Sequence, residues 1–357
     1  MRVERFEANP LIRPQDIAPT RPDVEVLCTI NPGAVWHDGQ ALLLVRVGQR
    51  PIPTANYIST LVYDHHCGET VVRRLRLDDP DLTTKDGRAF IYRGKTLLTS
   101  LSHLRVARSS DLVHWRIDDA PAIAPTTEWE TYGCEDARIA AIDGRYWITY
   151  TAASHLGINV MLAVTDDFAA FEKLGIVATT FNKDVCLLPE KVRGRYVCRH
   201  RPFRTEFNDA CIWTAFSPDL LCWGDHSVLH RPSPGTWESE RVGAGGTPIR
   251  TDAGWLEIYH ASDANGRYGL GAMLSDLDHP ERLLTRSARP VLEPVEPYER
   301  NGVFSECVFS NGVLANDAGD LVIFYGGADT VTAAARTTVD AMVAAARNEA
   351  QTRPDKG

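Results

Sequence analysis

The chain has 357 residues, 44% of them hydrophobic, and a formal net charge of −9 at pH 7. That composition supplies a large core in one to three domains, and the acidic balance argues against a nucleic-acid partner. No run of 18 apolar residues occurs, so no membrane-spanning helix is expected.

The opening stretch MRVERFEANPLIRPQDIAP has no apolar core and reads as an N-terminal arm over about residues 1–25. It does not read as a secretory leader, and the expected location is cytoplasmic. The eight cysteines form no CxxC pair and sit mostly in apolar strand-like runs such as YVCRH and ACIW. They are expected to be small core residues, with no metal site and no cofactor.

From residue 37 onward a turn followed by an apolar strand recurs: HDGQALLLV, YRGKTLLTS, IDGRYWITYTA, VRGRYVCRH, DAGWLEIYHA and DAGDLVIFYGGA. The shared glycines are Gly39, Gly94, Gly144, Gly194, Gly254 and Gly319, in steps of 50 to 65 residues. A second pattern interleaves with it, a Ser/Thr-and-Asp turn soon after a strand. Its acids are Asp111, Asp167, Asp219 and Asp276, 52 to 57 residues apart, with a weaker copy at Asp64. About four strands per period of this size indicate an all-β, five-bladed β-propeller forming one domain over residues 1–357. A β-sandwich that happens to share such turns is the alternative. The helical pattern is confined to VTAAARTTVDAMVAAARNEA, which predicts a short C-terminal helix over 331–350.

Polar groups inside these apolar strands are costly to bury unless paired or functional. The strands and their edges offer Asn31, Arg46, His103, Arg105, Glu135, Asp136, Arg138, Lys183, Asp184, Glu190, His200, Arg201, Tyr259, His260, Glu306 and Asp329. Taken singly, each has an ordinary structural explanation, a turn cap or a satisfied core histidine. Together they recur at one phase of the repeat and are expected to face one cavity. A cavity of mixed charge with flanking aromatics suits a sugar and an anion.

The segments NPLIRPQDIAPTRPDVEVLCTINPGA, CEDARI, NKDVCLLPEK, HRP, GAGGTPI and FYGGADT, in that order over roughly residues 8–335, resemble glycoside hydrolase family 130. That family comprises β-mannoside phosphorylases and β-mannosidases and is built on five-bladed propellers. The resemblance implies that Asp136 is the general acid, in a motif usually read Glu-Asp-Pro-Arg, where this chain has Ala137 for the proline. It implies that Asn31 and Arg46 hold the mannosyl unit and its neighbour, that Arg138 orients the acid, and that Asp329 lies in the same pocket. Lys183 and His200 match phosphate-side positions, and Arg201 joins them as a third phosphate ligand. Arg105, Glu135, Tyr259 and His260 are expected to contact the sugar. Burial and the adjacent Glu135 are expected to raise the pKa of Asp136.

The implied reaction is inverting phosphorolysis of a β-mannoside, with inorganic phosphate as co-substrate and α-mannose 1-phosphate as product. In such phosphorylases the proton passes through a sugar hydroxyl, so one essential carboxylate suffices. Inverting hydrolysis needs a second carboxylate, about 6.5–9.5 Å from the first. Phosphate needs cations instead. Lys183, His200 and Arg201 favour phosphate. Lys173 and His155 stand where arginines are usual, and Glu306 is a candidate water base for the hydrolytic alternative. A non-catalytic sugar-binding propeller is the alternative from another class. The linkage is not legible, and a homo-oligomer is compatible with the sequence.

Overall fold

The computed structural model describes residues 3–348. The described chain is almost entirely β, with two short α-helices, Pro297–Arg300 and Val339–Ala346.

The strands fall into five antiparallel units, taken in chain order. The first holds Val24–His37, Gln40–Pro51, Leu101–Ser109 and Arg116–Ile117. The second holds Gly133–Ile142, Arg145–Ser154, Gly157–Thr165 and Glu172–Ala178, and one parallel pair, Gly133 with Ser102, merges it with the first into an eight-stranded sheet. The third holds Asn182–Leu187, Tyr196–Pro202, Ile212–Ser217 and Gly224–His230. The fourth holds Arg241–Gly243 and Ile249–Thr251, both paired with Gly254–Ser262, then Tyr268–Ser275 and Leu283–Arg286. The fifth holds Val308–Ala315, Asp320–Gly327 and Val331–Thr338, and its last strand is Glu4–Arg5 from the N-terminal arm.

Local chemistry explains the repeat. Asp38–Gly39, Asp143–Gly144 and Arg193–Gly194 have positive φ at both residues, the hairpin turn whose twist matches paired strands. Asp111, Asp167, Asp219 and Asp276 each accept, at Oδ1, the amides two and three residues on. Each such cap turns the chain from the third strand of a unit into its fourth.

Apolar clusters join neighbouring units. Leu42, Leu44 and Leu104 of the first pack with Ile139 and Ile148 of the second, and Ala140, Ile142 and Leu162 of the second pack with Leu187 and Ala215 of the third. Ile212 and Leu229 of the third meet Val242 and Met273 of the fourth, and Leu256 and Leu270 of the fourth meet Val308 and Ile323 of the fifth. Val322 and Phe324 of the fifth then pack on Val45 and Val47 of the first.

Three expectations need correction. Gly94 is not in the series: its hairpin joins Ala89–Tyr92 to Lys95–Leu98 in a small sheet with Leu82–Asp86. Asp64 likewise turns a separate hairpin, Tyr57–Asp64 with Glu69–Arg76. Both lie in an insertion between the second and third strands of the first unit, close to one repeat in length. The expected helix over 331–350 begins only at Val339, and residues 349–350 lie outside the described residues. Val331–Thr338 is a strand because Ala333, Ala334 and Ala335 are fully buried between neighbouring strands, and that burial overrides alanine's helix propensity. Thr338 then caps the helix through the Ala341 amide.

Candidate active site

Four of the five first strands carry the same irregularity. The register slips between Ile30 and Gly33, Glu135 and Arg138, Lys183 and Cys186, and Phe309 and Gly312. Such a bulge adds one residue and re-aims the side chains around it. In three of them the residue inside the bulge is left-handed: Asn31 at φ 49°, Asp136 at 54° and Asp184 at 57°. Asn and Asp tolerate that conformation better than other residues with a Cβ. The residues just before the four bulges, Ile30, Glu135, Lys183 and Phe309, all line one cavity of about 720 Å³, a volume typical of small-molecule sites. Gly33 allows the first two units to close up, since a Cβ there would sit 2.7 Å from the Ala137 carbonyl oxygen.

Asp136 lies at the cavity wall, 2% exposed. Asn31 Nδ2 donates to its Oδ1 at 3.0 Å and Arg46 Nη1 at 3.1 Å, while Lys183 Nζ is 3.7 Å from Oδ2. Arg46 also donates to Glu135 Oε1 at 2.7 Å and to Ser102 Oγ at 3.0 Å. Burial pushes the Asp136 carboxyl up, but Arg46, Lys183 and the Asn31 hydrogen bond outweigh it and hold the pKa down at about 2. Burial pushes Glu135 up; Arg46 opposes that rise and the Asp136 charge adds to it. Burial also raises Asp329, with Arg46 offsetting only part of it. The upward shift expected at Asp136 thus falls on its neighbours. Two hydrogen-bond donors and the Lys183 ammonium converge on Asp136, whereas among the described residues Arg46 alone is seen to donate to Glu135.

Asn31, Arg46, Glu135, Asp136, Lys183, Arg201 and Asp329 all line the cavity, as expected. Lys183 and Arg201 face each other in register on paired strands. Other expected contacts are absent from its walls. Arg138 is 2% exposed and engaged below the cavity, donating to the carbonyls of Asp136, Ala244 and Gly245 and to Asp184 Oδ1 at 3.0 Å. It fixes the backbone of Asp136 and does not pair with its carboxylate. Arg105 turns away to His103 Nε2 and the Ala18 carbonyl. Tyr259 is fully buried and donates to Glu238. His260 is also fully buried, 3.3 Å from Asp184 Oδ2 and 4.0 Å from the Phe309 ring, centroid to centroid. His200 projects away from the cavity to Asn182 and to His226, and burial with the His226 neighbour lowers its pKa to about 4. Alternation along the strand puts it opposite Arg201. Glu306 faces a separate surface hollow, with Arg300 Nε at 2.7 Å and Arg267 Nε at 3.6 Å, so it is not placed as a water base. Lys173 is bound to Glu130 at 2.6 Å, and His155 lies 3.3 Å from Thr131 Oγ1.

The sequence reading missed Arg88, Arg204, Arg241, Phe203, Tyr268 and Phe304, all in the cavity wall. Arg241 begins the first strand of the fourth unit, and its phase in the repeat was the available signal. The cavity thus carries Arg46, Arg88, Lys183, Arg201, Arg204 and Arg241 against Glu135, Asp136 and Asp329. A larger groove of about 990 Å³ lies near Trp36 and Asp320, but none of its charged residues is buried. Three buried acids with shifted pKa values, Glu135, Asp136 and Asp329, converge in the smaller cavity, which is the candidate active site.

The chain is similar to known proteins over most of its length. A family described as beta-1,4-mannooligosaccharide phosphorylase, within glycoside hydrolase family 130, matches residues 82–348. A beta-1,2-mannobiose phosphorylase of Listeria innocua is 39% identical over 92% of this chain and 94% of its own. A 1,2-beta-oligomannan phosphorylase of Thermoanaerobacter sp. is 42% identical over 65% of this chain and 77% of its own. A solved structure of the Listeria innocua beta-1,2-mannobiose phosphorylase in complex with beta-1,2-mannobiose superposes with a TM-score of 0.94 at 37% identity, covering 98% of this chain and 100% of that one.

Proposed function

We propose that this chain, which belongs to glycoside hydrolase family 130, is an inverting phosphorylase that cleaves β-1,2-mannosides with inorganic phosphate. The observation that carries the reading is a buried carboxylate, Asp136, held by two hydrogen-bond donors and the Lys183 ammonium in a cavity whose remaining charges are mostly cationic. The two similar phosphorylases both act on 1,2-linked mannosides, which is why that linkage is chosen.

A phosphate oxygen attacks the anomeric carbon from the α face as the bond from that carbon to the leaving oxygen breaks. Lys183 and Arg201 hold and charge-balance the phosphate, and Arg204 and Arg241 also line the cavity. Hydrogen phosphate arrives with one proton, and the leaving sugar departs with one more than it had, so no outside acid is consumed. Asp136 relays that proton towards the leaving oxygen through a sugar hydroxyl. Its low pKa is set by Arg46, Lys183 and the Asn31 hydrogen bond. Phosphate beside Lys183 offsets a cation that holds Asp136 down, and so raises it towards proton-carrying range. Hydrolysis has less support, because Glu306, the candidate water base, is clamped by arginines away from the cavity.

The five units are read as blades of a closed five-bladed propeller forming one catalytic domain. Support comes from the apolar clusters, which join every neighbouring pair including the last with the first. A cytoplasmic location suits a reaction that draws on phosphate. No described helix is long and apolar enough to cross a membrane.

The test is incubation with β-1,2-mannobiose, with and without phosphate. Phosphate-dependent α-mannose 1-phosphate is the expected product. Free mannose without phosphate indicates a hydrolase, and binding without product indicates a sugar-binding protein.

A further inference from the structure

The insertion between the second and third strands of the first unit plays no part in the chemistry above, yet its tip reaches the cavity. Gly87 and Arg88 connect Leu82–Asp86 to Ala89–Tyr92. The Arg88 guanidinium lies over the Phe304 ring, 4.9 Å from carbon to centroid, and both residues line the cavity. Phe304 belongs to the connection between the fourth and fifth units, so this contact ties the insertion of the first unit to the far end of the chain.

Phe304 is set in an aromatic wall. It stands edge-on to Tyr268 at 5.8 Å, and Tyr268 lies 6.1 Å from Phe309. Its loop is pinned at several points. The Phe304 amide donates to the Ala328 carbonyl at 3.1 Å and the Val303 amide to Thr330 Oγ1 at 3.0 Å. Glu306 closes the loop: its carboxylate takes Arg300 on one oxygen and Arg267 on the other, and its backbone is left-handed at φ 53°. A left-handed backbone at a residue with a Cβ persists only where its surroundings enforce it. Glu306 is therefore a positioning residue for the loop that carries Phe304.

We propose that Phe304, capped by Arg88 and positioned through Glu306, is an end wall of the sugar cavity that restricts the substrate to a disaccharide. The proposal rests on the reading that the substrate is a manno-oligosaccharide. A third sugar passing this wall has to displace an aromatic ring held by a cation on its face, by a neighbouring ring on its edge and by a loop tied to two other segments. A wall with that many attachments does not yield to one more pyranose.

Calorimetry with β-1,2-mannobiose and β-1,2-mannotriose tests this in the wild type, Phe304→Ala and Arg88→Ala, with turnover of both sugars measured alongside. Wild type is expected to favour the disaccharide. The trisaccharide-to-disaccharide affinity ratio is expected to rise at least about tenfold in Phe304→Ala and by less in Arg88→Ala, as when a pocket loses steric selection. Glu306→Gln is expected to shift the same ratio in the same direction, which a purely structural carboxylate would not do. Arg88 is exposed on a hairpin tip, so its variant keeps the test open if Phe304→Ala misfolds. An unchanged ratio, equal losses on both sugars, or a wild type that binds neither sugar overturns the proposal. A wild type that binds and cleaves without phosphate overturns the phosphorylase reading instead and leaves the ratio to be measured.

Discussion

Asp136 and Asp184 occupy the same backbone position in neighbouring units, each left-handed inside a first-strand bulge and each shut away from bulk water. Their partners differ. Asp184 is consumed: Arg138 Nη2 lies 3.0 Å from one oxygen, and Arg201 Nε at 2.6 Å and His260 Nε2 at 3.3 Å share the other. Burial alone would raise its pKa, but Arg201, His260, Lys183 and Arg138 hold it well below the usual range. Asp136 faces the cavity, and Arg46 and Lys183, which hold it, face the cavity too. A ligand can change the surroundings of Asp136, whereas Asp184 is not in the cavity wall, and of the three groups paired with it only Arg201 is. One bulge thus holds a structural pin at Asp184 and, on the proposed reading, a reactive carboxylate at Asp136, and the partners around each decide which.

The largest effect expected from this contrast is on stability at Asp184. Asp184→Ala leaves Arg138 and Arg201 buried without their carboxylate. Such a loss costs about 3–5 kcal/mol, read as a drop in the unfolding free energy by denaturant titration. An Asp184→Ala protein as stable as wild type would erase the distinction. Next is Lys183→Ala. The KM for phosphate is expected to rise roughly 10- to 100-fold, the worth of one charge-assisted contact, with the KM for mannobiose little changed. Equal changes in both would place Lys183 on the sugar.

The smallest effect concerns pH. Asp329 has a raised folded pKa, so the native state holds its proton longer than the unfolded chain. The cost of ionising it sets in as pH rises past the ordinary carboxylate range. Asp329→Asn is therefore expected to be more stable than wild type at pH 7 and to match it near pH 3. Asp136 has the opposite sign. Its folded pKa is lowered to about 2, so its contribution is present above the ordinary carboxylate pKa and fades as pH falls towards 2. Thermal melts of both asparagine variants from pH 3 to pH 8 should show these opposed trends.

The repeat was legible in the sequence because it rests on local backbone demands. Asp-Gly pairs satisfy tight hairpins and aspartates cap the turns that follow, and both requirements survive whatever the core does. The insertion misled because its own hairpins use the same chemistry at Gly94 and Asp64. Residues 331–338 misled because alanine in a fully buried strand reads as helix. In the site, Asn31, Arg46, Glu135, Asp136, Lys183, Arg201 and Asp329 were legible as polar groups in apolar strands. Arg105, His200, Tyr259 and His260 carried the same signal and point elsewhere. None of those four lies on a strand with a bulge of its own; successive residues of a strand face opposite sides, and the repeat period does not say which of them faces the cavity. Arg88 and Phe304 lie outside the repeat altogether, on a hairpin tip and an interunit connection.

The measurement that bears most directly on the account is turnover by Asp136→Asn. The amide keeps the shape and removes the titrating proton. Phosphorolysis of β-1,2-mannobiose should fall by at least about 10²-fold. A nitrophenyl mannoside, whose leaving group needs little protonation, should lose much less. The folded fraction at the assay temperature should stay near that of wild type. A variant that melts early yet turns over mannobiose at the wild-type rate per folded molecule would contradict the account and make Asp136 a second Asp184.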